Sequence, residues 1–215
     1  MPKISNLYKP FEHWKKYDVI WIYSDTHFND IDCKLMDPSW PSAEEQVKNI
    51  NSKVRKNDML ILLGDVGDVE FVKKLNGYKV LLTGNHDRGV SNYLKETNLT
   101  VENGAIVERN NRLFDEVYDG SLFINSKTVL SHEPIDLPFG LNIHGHDHSG
   151  KEFIEKENSA QCNVCSNVIG FVPKRLDEIT RRFKVADLHR ISIDNAIEHS
   201  FRESSLIPTG KPVGL

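Results

Sequence analysis

Three short apolar runs confine this chain to a sheet-based fold. Asp18-Val-Ile-Trp-Ile-Tyr-Ser24 is too continuously apolar for a strand with one solvated face, Asp58-Met-Leu-Ile-Leu-Leu63 reads as a second buried strand and Tyr78-Lys-Val-Leu-Leu-Thr83 as a third strand. Such runs are strands covered on both faces, as in parallel sheets. The segments between them read as helices. Ser42-Ala-Glu-Glu45, preceded by Pro41, is a capping-box pattern, and Val47, Ile50, Ser52 and Val54 continue at near-helical spacing to Arg55, a helix of about four turns. Phe71 to Leu75 is a short helix closed by Gly77. The order βαβαβ over residues 18–83 implies parallel strands joined by right-handed crossovers.

After a helix near Val90–Glu96 the texture changes to short runs with tight turns: Ala105–Glu108, Leu113–Tyr118, Ser121–Ile124 and Thr128–Leu130. Asp119-Gly120 lies between two of them as a hairpin signal, and Leu141–His144 and Gln161–Ser166 add two further strands. The second half therefore reads as mainly antiparallel. With no Gly/Ser-rich linker between the halves, two sheets packed face to face with helices outside bury both as one domain over residues 1–215. A last helix is expected over Ser192–Glu203, and a loose tail over Pro208–Leu215.

Composition narrows the function classes. The 215 residues carry 27 Lys and Arg against 31 Asp and Glu, a formal charge of −4, which offers no general attraction to nucleic acid or anionic membranes. Met1 to Asp18 lacks the apolar run of a secretory leader, and no stretch is long enough to span a bilayer, so a cytoplasmic protein with no membrane partner is expected. Cys162-Asn-Val-Cys165 has the spacing of a zinc or redox pair, but a zinc ribbon needs a second pair. Buried structural thiols are the favoured reading of these and of Cys33.

The nine histidines are the one compositional sign of chemistry, and five fall where strands end. Asp25-Thr-His27 follows the first run, Gly64-Asp65 the second and Gly84-Asn85-His86-Asp87 the third; Ser131-His132 and Gly145-His146-Asp147-His148 follow later ones. Ligand sites of open α/β sheets lie outside the carboxyl ends of the strands, so these segments can converge on one edge. Oxygen and nitrogen donors without thiolate suit Mn²⁺, Fe, Zn²⁺, Co²⁺ or Ni²⁺ better than Ca²⁺. Gly64, Gly84 and Gly145 each precede a donor, where the backbone must approach closely or take positive φ.

These residues, in this order, resemble the signature D-x-H, G-D, G-N-H-[DE], H, G-H-x-H of the calcineurin-like metallophosphoesterase superfamily. The likeness covers about residues 18–180, leaving 181–215 as a helical extension and tail. Ser24-Asp-Thr-His-Phe28, Leu75-Asn-Gly77 and Pro173 followed by Leu176-Asp-Glu-Ile179 bring it closest to small single-domain bacterial and phage members. The resemblance implies an α/β fold, a four-layer α/β/β/α sandwich of two mixed sheets flanked by helices. It also implies a phosphoesterase with two divalent transition metals, Mn²⁺ foremost, acting on a phosphomonoester or phosphodiester by in-line attack of a metal-bridging hydroxide. One metal would be held by Asp25, His27, Asp65 and His148, and the other by Asp65, Asn85, His132 and His146. His86 would serve the leaving-group oxygen, with Asp87 orienting its ring.

Other readings stay open at single positions. His144 alternates with His146 and His148, so on one strand a three-histidine zinc site is the leading alternative for that segment. His13, His189 and His199 lie outside the signature and have no assigned task. Asp68 and Asp147 are as readily solvated turn carboxylates as tuners of the metals. Arg88 could grip a substrate phosphate or cap a helix. Phe28 and Trp40 could stack on a nucleobase or pack their loop onto the domain. The expected partner is a small phosphorylated compound such as a nucleotide, selected by loops 28–41, 88–98 and 133–140. A binding scaffold without turnover and a nuclease are the alternatives; the intact donors disfavour the first, and the short, acidic chain the second.

Overall fold

The computed structural model describes residues 6–87, 100–102, 105–107, 113–185 and 187–188. The three apolar runs form β1 (Ile20–Tyr23), β2 (Met59–Leu62) and β3 (Tyr78–Leu82), paired in parallel as expected. β4 (Thr100–Glu102) and β5 (Ala105–Val107) pair antiparallel as a separate two-stranded sheet. β6 (Glu116–Tyr118) then joins β3 in parallel. The chain continues through β7 (Leu122–Asn125), β8 (Thr128–Leu130), β9 (Gly140–His144), β10 (Phe153–Glu155) and β11 (Ser159–Asn163). The last strand, β12 (Lys174–Arg175), returns to pair antiparallel with β1.

The result is two mixed sheets with helices, the α/β class the sequence implies. One sheet runs β12-β1-β2-β3-β6 and the other β10-β11-β9-β8-β7. The middle strands, β2 and β9, are buried at every residue, and β2 is accordingly apolar throughout. β9 carries one buried amide, Asn142, which accepts from the Ile135 N–H at 2.8 Å and donates to Ser131 Oγ at 2.8 Å. Ile22, Ile61 and Leu81 of the first sheet and Ile124, Leu141, Ile143 and Cys162 of the second belong to one apolar cluster.

Two expectations are corrected. The second sheet is not mainly antiparallel: β8, β9 and β11 are parallel at its centre, with antiparallel pairing only at β7 and β10. Segment 131–139 is a crossover from β8 to β9, and the chain reaches β11 from β9 by way of β10, which forms a hairpin with β11. Asp119-Gly120, with Gly120 at φ +92°, makes no hairpin but carries the chain from β6 in one sheet to β7 in the other.

Helix α1 spans Ile31–Met36, α2 Ala43–Lys53 and α3 Leu176–Arg182; 3-10 turns cover Lys9–Lys16 and Val69–Lys74. The capping box forms as read: the Glu45 N–H donates to Ser42 Oγ at 3.2 Å and the Ser42 N–H to Glu45 Oε2 at 2.9 Å. α2 ends two residues earlier than expected, its cap at Val54. The helices expected at 90–96 and 192–203, the tail, Arg88, His189 and His199 lie outside the described residues. Among the described residues no helix is long and apolar enough to cross a membrane.

Candidate metal centre

Parallel pairing points the carboxyl ends of β1, β2 and β3 one way, and those of β8 and β9 meet them from the other sheet. The loops are stitched together by backbone. Asp25 N–H donates to the Gly64 carbonyl at 3.0 Å, His27 N–H to that of Asp65 at 3.0 Å, and Gly145 N–H to that of His132 at 2.9 Å. Across the sheets, the His146 N–H donates to Asp25 Oδ2 at 2.9 Å. The glycines are required by contact: a Cβ at Gly84 would lie 2.3 Å from Asp65 Oδ1, and one at Gly145 2.2 Å from Asp25 Oδ2.

Among the described residues three donor groups have ligand atoms within 4.8 Å of one another: Asp25 with His27 and His148, Asp65 with His132 and His146, and, behind His27, a third of His27 with Asp30 and Cys33; the first two are built from the strand ends. They meet at Asp65, whose Oδ2 is 3.7 Å from His27 Nε2 and 3.4 Å from His132 Nε2. Asn85 Oδ1 sits 2.8 Å from His132 Nε2. All seven residues expected as metal ligands are thus gathered at one edge.

Three observations fit this set to cations. Asp25 Oδ1 and His27 Nε2 are buried without a hydrogen-bond partner, an arrangement that costs free energy unless something else satisfies them. Asp25, His27, Asp65 and His146 all sit at positive φ, between 41° and 65°, a conformation costing roughly 1–3 kcal/mol each that persists where the surroundings demand it. Finally, the imidazoles are held from behind. His27 Nδ1 faces Asp30 Oδ2 at 3.0 Å, His132 Nδ1 the Leu63 carbonyl at 2.7 Å and His148 Nδ1 Asn167 Oδ1 at 3.1 Å, which leaves each Nε2 turned toward the carboxylates.

Electrostatics agrees. Burial alone would raise the Asp65 carboxyl, but His132 and the His86 N–H, at 2.8 Å from Oδ1, hold it below its usual value. Burial opposes protonation of His132, yet Asp65 and Asp25 push it up to about 9.

Several residues do otherwise than expected. Asp87 does not orient the His86 ring. It is buried, and its carboxylate accepts the backbone N–H groups of Asp65 (2.9 Å), Val66 (2.9 Å) and Gly84 (2.7 Å), tying the second and third loops together. Its pKa is raised by burial and the nearby Asp65, against those three bonds. Phe28 is not a substrate platform: it is 1% exposed and packs against Phe71. Trp40 is also buried, its ring centroid 5.7 Å from that of His148 and 6.3 Å from that of His27, so it walls the site. His86 is exposed, its ring 5.6 Å from His27.

His144 ends β9 and the chain then breaks, with His146 at positive φ, so the three histidines do not share one strand face; His144 Nδ1 lies 2.8 Å from the Gly145 carbonyl. Asp68 caps the 3-10 turn after it, and Asp147 accepts from Ser149 in a local turn. The three cysteines are buried and unpaired, and burial pushes the Cys162 thiol up to about 12. Asp30 and Asn167 went unnoticed in the sequence. The spacing of three from His27 marks Asp30, whereas nothing local marks Asn167.

Two mixed sheets with carboxylate, amide and imidazole donors gathered at their shared edge make an α/β fold with a candidate metal centre. The sequence model of the calcineurin-like phosphoesterases matches residues 19–163, and the chain belongs to that family. No curated protein sequence matches it. The crystal structure of AQ665, a protein of unknown function from Aquifex aeolicus, has a similar fold, with a TM-score of 0.56 and 22% identity over 76% of this chain and 98% of that one.

Proposed function

We propose that the protein is a dinuclear-metal phosphoesterase that hydrolyses a small phosphomonoester or phosphodiester, such as a nucleotide, by in-line attack of an activated water. The reading is supported above all by Asp65, whose Oδ2 faces His27 in one donor group and His132 in the other. Asp25, His27, Asp65 and His148 would hold one cation, and Asp65, Asn85, His132 and His146 the other. Bound there, the cations supply a water of lowered pKa and offset the charge that grows on the phosphoryl oxygens. Mixed oxygen and nitrogen donors suit Mn²⁺, Fe, Zn²⁺, Co²⁺ or Ni²⁺, and Mn²⁺ is put first among them on the family resemblance.

The chain's own residues do the remaining work. Asp87 fixes the Asp65 and Gly84 loops to each other, so the shared carboxylate keeps its place. Trp40 closes the site behind His27 and His148 and excludes water there. His86, exposed beside His27, is placed to give a proton to the departing alkoxide. The composition supports a cytoplasmic setting and a small substrate over nucleic acid.

The test is hydrolysis of p-nitrophenyl phosphate and its bis ester by chelator-treated protein resupplied with Mn²⁺, Fe²⁺, Co²⁺, Ni²⁺ or Zn²⁺. Turnover restored by cation, and reduced in His86→Ala at unchanged metal content, is expected. Cation binding with no turnover on either ester would instead favour a binding scaffold.

A further inference from the structure

The matched family segment ends at residue 163, and the chain that follows it wraps the metal centre. Val164 N–H donates to the His144 carbonyl at 2.7 Å, while Cys165 forms a bridge with Ser24 at the end of β1. Ser166 completes the link, its N–H donating to the Ser24 carbonyl at 3.0 Å and its Oγ to that of Asp25 at 2.7 Å. Loop 164–171 therefore joins the end of β9 in one sheet to the end of β1 in the other, next to two of the cation donors.

Asn167 holds His148 at two points. Its Nδ2 donates to the His148 carbonyl at 2.8 Å, and its Oδ1 faces His148 Nδ1 at 3.1 Å. The first contact settles the orientation of the amide: a carbonyl accepts, so the nitrogen must face it, and the oxygen is left for the ring. An acceptor opposite Nδ1 requires the proton there, which makes Nε2 the lone-pair nitrogen. Nε2 is the atom 3.6 Å from the partnerless Asp25 Oδ1. Cys165 Sγ lies 3.2 Å from the same amide oxygen and 3.2 Å from His148 Nδ1; with its S–H given to the oxygen, the sulfur faces the Nδ1–H as a second, weaker acceptor.

The other flank of His148 is closed by Trp40, and Trp40 in turn by Phe171, edge to face at 5.1 Å. Phe171 sits at φ +58°, its N–H bonded to the Ser166 carbonyl at 2.7 Å. A bulky side chain in that region is strained and stays only where its surroundings hold it.

We propose that Asn167 is a positioning residue for the metal centre: it fixes the Nδ1–H form of His148 and so sets the cation affinity of the Asp25, His27 and His148 group. The inference rests on reading that group as a cation site. Removal of such a partner behind a ligating imidazole weakens metal binding by about 10–100-fold.

Two measurements test it. In metal-free protein, long-range ¹H–¹⁵N spectra of His148 should show the Nδ1–H form in the wild type and in Asn167→Asp, which keeps the acceptor, but a mixture in Asn167→Leu. In Mn²⁺ titrations by calorimetry, Asn167→Leu should weaken one of two binding events by roughly tenfold or more, with Asn167→Asp within about threefold of wild type. An unchanged tautomer in Asn167→Leu, or equal Mn²⁺ affinity in Asn167→Leu and wild type, overturns the positioning role. A wild type that binds no Mn²⁺ while the tautomer still follows residue 167 overturns the cation reading instead, so the two failures are separable.

Discussion

Glu116 and Asp25 are both fully buried carboxylates, yet their surroundings have opposite meanings. Glu116, on β6, is saturated. It takes the Trp14 indole N–H at 3.2 Å, the Tyr78 hydroxyl at 2.7 Å, the Tyr118 hydroxyl at 2.6 Å and a contact from His13 Nε2. The outcome is a strut that fastens the N-terminal 3-10 turn to the first sheet. Asp25 has one oxygen bound by the His146 N–H and the other facing imidazoles with no hydrogen bond, beside a similarly partnerless His27 Nε2. A buried anion satisfied on every side stabilises the fold; one left short of partners among lone-pair donors is a socket for a cation.

The contrast can be broken experimentally, and the largest effect is expected at Asp65. Asp65→Asn should reduce hydrolysis by roughly a thousandfold or more, since both cations of the proposed centre would depend on this carboxylate. Wild-type rates in that variant would place the chemistry elsewhere.

Glu116→Ala should act on the strut alone. Denaturant titration is expected to show a loss of about 3–5 kcal/mol, because the opposing donors are left buried and unpaired, with cation binding retained. Burial would raise the Glu116 carboxyl, but Tyr118, Tyr78 and His13 outweigh it and lower its pKa. The strut's stabilisation is therefore present above the glutamate's unfolded-state pKa and lost as pH falls through its lower folded value. Glu116→Gln should flatten that acid limb. A steep limb surviving in Glu116→Gln would assign it to other carboxylates.

With Mn²⁺ at a hundred times its dissociation constant for a site, each bound ion should stabilise the wild type by about 2.7 kcal/mol, so that two give about 5.4 kcal/mol. Each ion thus corresponds to a rise in Tm of roughly 5–10 °C for a domain of this size, and Glu116→Ala should show the same rise as the wild type. The smallest effect is expected for Asp68→Ala. It removes only the cap of a 3-10 turn and the contact with Asn29, at a cost of about 0.5–2 kcal/mol, with the Mn²⁺ response unchanged. A diminished response there would bring Asp68 into the metal centre.

What the sequence disclosed follows the same division. β1, β2 and β3 were legible because strands covered on both faces are apolar along most of their length, Lys79 at the half-exposed start of β3 being the exception. The donors were legible because they stand at the ends of those runs, behind glycines whose missing Cβ the packing requires. Pairing sense in the second sheet was not, since its short strands look alike whether a hairpin or a crossover joins them. Nor was the task of Asp87, because the Asn-His-Asp motif does not reveal that three backbone amides converge on its carboxylate. Phe28 lies beside the first donor pair in sequence, yet its side chain turns into the core against Phe71. Asp30, Asn167 and the Leu63 carbonyl act behind imidazoles, and that role is set by tertiary contact rather than by motif.

The central claim is that Asp65 is shared between two cations. Counting bound Mn²⁺ by equilibrium dialysis and elemental analysis, in wild type and in folded Asp65→Asn, tests it most directly. The account predicts about two ions per wild-type chain and the loss of both in the variant. Equal metal content in the two proteins would contradict it.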